Sequence, residues 1–390
     1  MPAFSRRLSP TLSNALSLLR EELHSANEPL LDLTVSNPSS VLADYPHDEI
    51  RAAFSCIDTF NYAPDPWGIE SARETIAQFH TRKGFTVSPA SIALTASTSE
   101  AYSFLFKLFC DPGTEILVPA PSYPLFEFLA SLEAVRLVPY RLHYDGVWSI
   151  DFDHLARQIS PACRAIVVVN PNNPTGSFLK QWELNELKRL AAQHDLPVIA
   201  DEVFMQYGFT RDPNRIETLI GDDDVLSFSL NGLSKSAGMP QMKLAWIVLN
   251  GPGYLKQILA ERLEIILDTY LSVGTPVQRA LPALLDLGSR VRNDLLARIR
   301  SNKAQSVEIL AGTPAHSLHV EGGWSVIFQL PNTLPEEEWL YRLLKGQNVL
   351  MQPGYFFDMS AGPYAIASLI VEPEVFAEGV TRLRDLLSAG

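Results

Sequence analysis

Between residues 91 and 250, short apolar or β-branched runs alternate with stretches of helical periodicity: SIALTA, EILVPA, AVRLVPY, AIVVVN, LPVIAD, VLSFSL and LAWIVLN. Several are apolar throughout, the pattern of strands covered on both faces. The expectation is an α/β fold with a mostly parallel seven-stranded sheet under helices. Beyond residue 255 the periodicity turns helical, through YLKQILAERLEIILDTYL and an amphipathic segment from about Pro282 to Leu310. Strand-like WSVIFQL, helical PEEEWLYRLLKGQ, strand-like YAIASLIV and helical PEVFAEGVTRLRDLLS then outline a small α+β unit. The first 45 residues, a helix followed by LLDLTVSNP, are too few to fold alone and are expected to join it. The expected division is therefore a large domain over 46–285 and a small domain made of 1–45 and 286–390.

Length agrees with two domains, since 390 residues exceed what one hydrophobic core organises, and a hydrophobic content of 46% supplies both cores. Lysine and arginine number 31 against 44 acidic residues, a net charge of −13 with no basic stripe, which argues against nucleic acid and anionic membrane as partners. Cys56, Cys110 and Cys163 are far apart, odd in number and set in apolar sequence. They read as buried thiols in a reducing compartment rather than a disulfide framework. No apolar run reaches 18 residues and the N-terminus has no sustained apolar core, so a soluble, cytoplasmic protein is expected. No metal site is expected.

In α/β sheets ligands collect at the carboxyl ends of the strands, and the residues following five of these runs carry chemistry. After SIALTA, Ser97-Thr98-Ser99-Glu100 has the spacing of a capping box opening a helix, which serves either as a plain cap or as a phosphate site. After EILVPA, Tyr123 between prolines offers a surface ring or a stacking platform. The turn PNNPTG after AIVVVN supplies Asn172 and Asn173 as ligand amides or caps. LPVIA ends on Asp201-Glu202, a carboxylate that needs a cationic or donor partner if buried. VLSFSL leads to NGLSKSAGMPQMK, where Lys235 sits on a turn of small residues; an amine of reduced solvation becomes a nucleophile able to form a Schiff base.

Together these motifs resemble the pyridoxal-phosphate enzymes of fold type I, specifically the class I/II aminotransferases, from about Leu30 to Leu387. The resemblance implies that Lys235 holds pyridoxal 5′-phosphate as an internal aldimine and shuttles the proton. It implies that Asp201 pairs with the pyridinium nitrogen, Asn173 bonds the ring O3′ and Tyr123 stacks on the ring. Ser97 and Thr98 match the phosphate turn, with Ser234 beside it, and Lys243 stands where most relatives carry a phosphate-binding arginine. Tyr62, in NYAPDPWGIESAR, matches a tyrosine that reaches the phosphate of the neighbouring subunit, which implies a homodimer with shared active sites. The implied reaction moves an amino group between an amino acid or amine and a 2-oxo acid. A lyase, a decarboxylase or a C–C bond-forming enzyme on the same fold is the alternative.

Three departures accompany the likeness. Phe204 stands where relatives usually have a tyrosine that donates to O3′. Ile366 stands where relatives carry the arginine that grips the substrate α-carboxylate, and Ser36 replaces a glycine of that region. Ser97 and Ala245 replace two further glycines. Trp324, Tyr355, Phe356 and Phe357 are expected near the substrate end or in the core.

Overall fold

The computed structural model describes residues 4–5, 7–8, 15–25, 28–55, 62–271, 273–360 and 362–389. Its strands are β1 (Leu31–Asp32), β2 (Ile92–Thr95), β3 (Glu115–Ala120), β4 (Arg136–Tyr144), β5 (Trp148–Ile150), β6 (Cys163–Val169), β7 (Val198–Asp201), β8 (Ser227–Gly232), β9 (Ala245–Asn250), β10 (His316–Ser317), β11 (Ser325–Gln329), β12 (Val349–Leu350), β13 (Gln352–Pro353) and β14 (Tyr364–Ser368).

The large sheet runs β2-β9-β8-β7-β6-β3-β4-β5, and its central pairs, from β8 through β7, β6 and β3 to β4, are all parallel. Each of the seven apolar runs forms one of its strands. The eighth, β5, pairs antiparallel with β4 and is only three residues long, too short for its periodicity to register. The Asp145-Gly146 step that precedes it, with Gly146 at φ +103, is a turn signal that could have found it.

Burial explains why the central strands read as apolar throughout. Ile116, Val118, Ala165, Val167 and Ile199 pack into one cluster, while their chain neighbours Leu117, Ile166, Val168, Val198 and Ala200 pack into another on the opposite face. The pleat sends alternate residues to opposite sides and helices cover both. Truncating Ile199, fully buried in this sheet, to alanine should cost about 2–5 kcal/mol.

The helix expected from about Pro282 to Leu310 begins earlier, at Thr275, and runs to Ile309 with Pro282 inside it. The proline that marks its start is Pro276, in the first turn, where a missing N–H costs nothing. Pro282 removes one internal bond, which the burial of Leu281, Leu284 and Leu285 offsets. A second sheet, β10-β11-β14-β13, is antiparallel, and β1 pairs in parallel with β12. Cys110 is half-buried and Cys163 buried, both as free thiols; Cys56 lies outside the described residues. Among the described residues no helix is long and apolar enough to cross a membrane.

Candidate active site

A cavity of about 320 Å³ opens where the carboxyl ends of β3, β6, β7 and β8 meet the cleft-side ends of β11 and β14. Ser97, Thr98, Tyr123, Asn173, Asp201, Ser234, Lys235 and Lys243 all line it. Tyr62 does not; it is 81% exposed on the surface of its own chain. A larger cleft of about 920 Å³ lies at the opposite ends of the strands, near Cys163 and Pro197, away from this set of groups.

Lys235 belongs to the short helix Leu233–Ser236 that follows β8 directly. Tyr207 donates its hydroxyl to the Lys235 carbonyl at 2.7 Å and Arg292 donates to the Ser236 carbonyl at 2.7 Å, which pins the turn from behind. The Lys235 ammonium lies 4.4 Å from the Trp324 ring centroid and 5.5 Å from that of Phe204. Burial pulls its pKa down to about 8, against the opposing pull of Asp201.

Asp201 closes β7. Its Oδ1 accepts from the Val203 amide at 3.2 Å and its Oδ2 from the Tyr102 hydroxyl at 3.1 Å. Burial nevertheless pushes its pKa up to about 6, outweighing those two bonds and the charge of Lys235. A carboxylate so placed lacks a full counter-charge, and a cationic ring N–H would supply one. Behind it Glu202 is held by Thr218, the Leu219 amide and Ser229, a structural anchor at about 7 raised chiefly by burial.

The two asparagines of PNNPTG separate by role. Asn172 is buried and its side-chain oxygen accepts from Thr175, so it shapes the turn. Asn173 lines the cavity; Ser325 donates to its Oδ1 at 3.3 Å, which orients its amide nitrogen as a donor. At the other end Ser97 caps the helix Thr98–Phe109. Its hydroxyl oxygen accepts from the Glu100 amide at 3.1 Å, and the Glu100 carboxylate accepts from the Ala96 amide at 2.6 Å. The cap thus stands in the wall of the cavity. The positive end of this helix opens on the cavity, and Lys243, held at φ 50 after a 3-10 turn, lines the cavity too.

Sequence reading missed Tyr102, Thr34, Ser325, Gln352 and Ser368, all of which line the cavity. Tyr102 follows Thr98 by four residues on one helix face, a spacing that pointed to it. Phe204, 7% exposed, packs edge-on against Trp324 at 5.3 Å and lines the cavity. Of the QPGYFFD aromatics only Phe357 lines it, while Tyr355 and Phe356 are partly exposed elsewhere. Ser36 and Ala245 line it; Ile366, 1% exposed, is packed in the core, in the same apolar cluster as Phe357.

A donor set of this kind, with an anion end, a buried carboxylate and an amine, defines a cofactor-binding cleft of the fold type I class. The family model for aminotransferase class I and II matches residues 26–365, and the chain belongs to that family. Its members are enzymes that transfer amino groups with pyridoxal 5′-phosphate, and the residues of the cavity fit that group.

Among curated proteins the chain is 30% identical over 267 residues to the glutamate-pyruvate aminotransferase AlaA of Escherichia coli, a match that covers 68% of this chain and 65% of that protein. Among solved structures it is similar to an aminotransferase from Escherichia coli, at 24% identity and TM-score 0.87 over 100% of this chain and 98% of the other. It is also similar to an alanine aminotransferase from Pyrococcus furiosus, at 23% identity and TM-score 0.86 over 96% of each chain.

Proposed function

We infer that the protein is an aminotransferase that moves an amino group between an amino acid or amine and a 2-oxo acid. The observation that carries this reading is one cavity holding both an amine brought to about 8 and a buried carboxylate raised to about 6. Bound there, pyridoxal 5′-phosphate would supply an aldehyde that holds the substrate nitrogen and a ring that accepts electrons when a bond at the amine-bearing carbon breaks.

The chain's residues do the rest. Ser97, Thr98, Ser234 and Lys243, with the N-terminus of the helix Thr98–Phe109, would hold the phosphate. Tyr123 would stack on the ring, Asn173 would donate to O3′ and Asp201 would keep the ring nitrogen protonated. The Lys235 amine, neutral in part near pH 8, would take the proton from the amine-bearing carbon and hand it back on the far side of the substrate nitrogen. Trp324 and Phe204 shield that amine from water.

The assembly proposed is a cytoplasmic homodimer in which Tyr62 serves the partner's cavity. Tyr254, Ile258 and Ile265, exposed on the helix Gly253–Tyr270, support an apolar contact surface of this kind. The chain is proposed to divide into 46–285 and 1–45 with 286–390, the second boundary lying within the helix Thr275–Ile309.

The test reads the visible absorbance of the cofactor-loaded protein. An amine donor alone should discharge the band and a 2-oxo acid should restore it. A band that returns without any acceptor means a lyase or decarboxylase instead.

A further inference from the structure

The small sheet meets the cavity with an edge of uncharged polar side chains. Ser325 and Ser368 are register partners on β11 and β14, and Gln352 on β13 is opposite Ile366, two residues from Ser368. Residues opposite one another, or two apart on a strand, share a face of the sheet. Ser325, Gln352 and Ser368 therefore lie on one face, and all three line the cavity. Further along that face Ile327 and Ile366 are buried in apolar core, so the floor behind this edge is apolar.

Ser368 is the informative member. It is 8% exposed, and its hydroxyl, sealed from solvent, has no hydrogen-bond partner among the described residues. The strand holds it firmly, since its amide donates to the Leu33 carbonyl at 2.7 Å. An unsatisfied buried hydroxyl at a cavity wall is a group that a ligand completes. Among the described residues the charged side chains lining the cavity are Asp201, Lys235 and Lys243, and the cofactor reading assigns each of them to the ring, the aldehyde or the phosphate. Recognition at the small-sheet edge falls to hydroxyls and an amide.

Resting on the aminotransferase reading above, we propose that Ser325, Gln352 and Ser368 receive the head group of the amino donor, and that this head is uncharged and polar: a carboxamide or hydroxyl beside the amine-bearing carbon. A carboxamide both donates and accepts, which matches hydroxyls and a carboxamide. A carboxylate only accepts, and while Lys235 is committed to the cofactor aldehyde it would lose water without gaining a cation. For the 2-oxo acid, the cation available in the cavity is Lys235 itself, whenever its amine is free and protonated.

The test compares isosteric donors on the cofactor-loaded protein: L-alanine, L-alaninamide and L-alaninol. The half-saturating concentration for loss of the visible band is measured beside equilibrium binding of the non-reacting pair isobutyramide and isobutyrate, read by intrinsic tryptophan fluorescence. Alaninamide should half-saturate roughly tenfold below alanine, and isobutyramide should bind more tightly than isobutyrate. Ser368→Ala should narrow both ratios with the cofactor band intact. Gln352→Glu, an independent variant, should weaken the carboxylated member of each pair more than the amide.

A protein whose band responds to carboxylated donors alone overturns the head-group proposal and leaves the aminotransferase reading standing. Ratios unmoved by both variants overturn the proposal as well. A protein whose band no donor discharges overturns the aminotransferase reading, and isobutyramide against isobutyrate then decides the head-group proposal alone.

Discussion

Tyr102→Phe removes one oxygen and leaves a ring whose edge-on packing against Phe126, at 5.1 Å, does not depend on the hydroxyl. What is lost is the 3.1 Å donation to Asp201 Oδ2, one of two hydrogen bonds that the carboxylate receives among the described residues. A hydrogen bond to an ionised group contributes about 1.5–3 kcal/mol net, and 1.36 kcal/mol corresponds to one pKa unit. The substitution should therefore carry Asp201 in the cofactor-free protein from about 6 to roughly 7–8.

The sign for stability follows from the direction. Asp201 titrates higher folded than unfolded, where its ordinary value is 3.8, so its ionisation opposes folding as pH rises. Below about pH 6 the folded wild type and the variant are both protonated at Asp201, and they should differ little. Between pH 6 and 8 the variant should lose ground, reaching a deficit of about 1.5–3 kcal/mol. Urea unfolding of both proteins across pH 5–8.5 measures this, and repeating the pair in an Asp201→Asn background closes a double-mutant cycle. A deficit independent of pH, or one that persists in the Asp201→Asn background, would refute the reasoning.

Three further outcomes can be measured. Lys235 titrates near 8 when folded against an ordinary 10.5, so folding opposes its charge fully below pH 8 and not at all above 10.5. Lys235→Met should stabilise the cofactor-free protein by up to about 3 kcal/mol at pH 7, and the gain should fade as pH climbs from 8 to 10.5; an equal gain at both ends contradicts this. Phe204→Tyr should lower the pH at which the visible spectrum of the loaded protein changes form, by giving O3′ a second donor, and an unmoved midpoint removes that idea. Lys243→Met should weaken cofactor retention about ten- to hundredfold at low salt, with the deficit shrinking at high ionic strength; a salt-independent loss means the lysine acts by shape.

Which parts of this site could be read from the chain follows from what fixes each side chain. Residues at the ends of strands are placed by the strand itself, and apolar runs such as AIVVV and PVIA are unambiguous, so Asn173, Asp201 and Lys235 could be located by counting past them. Tyr102 shares a helix face with Thr98, which points to the cavity, but its bond to Asp201 depends on how the helix Thr98–Phe109 packs against β7 and is not written in the spacing. Ser325, Gln352 and Ser368 meet only when three strands of the small sheet come into register, and nothing local in their segments signals that. Pro276 and Pro282 show the same limit at element boundaries. Both prolines break the helical pattern equally on paper, and only the burial of Leu281, Leu284 and Leu285 decides that the helix passes through the second. The family match ends at residue 365, inside β14, one residue before Ile366.

The central claim is that Lys235 is the lysine that carries the cofactor. Reducing the loaded protein with borohydride fixes pyridoxal phosphate to whichever amine holds it, and peptide mass spectrometry then identifies the residue. The account predicts a single phosphopyridoxyl label on Lys235 in the peptide containing GLSKSAGM. A label on Lys243 or any other lysine, or a protein that carries no label after reduction, would contradict it.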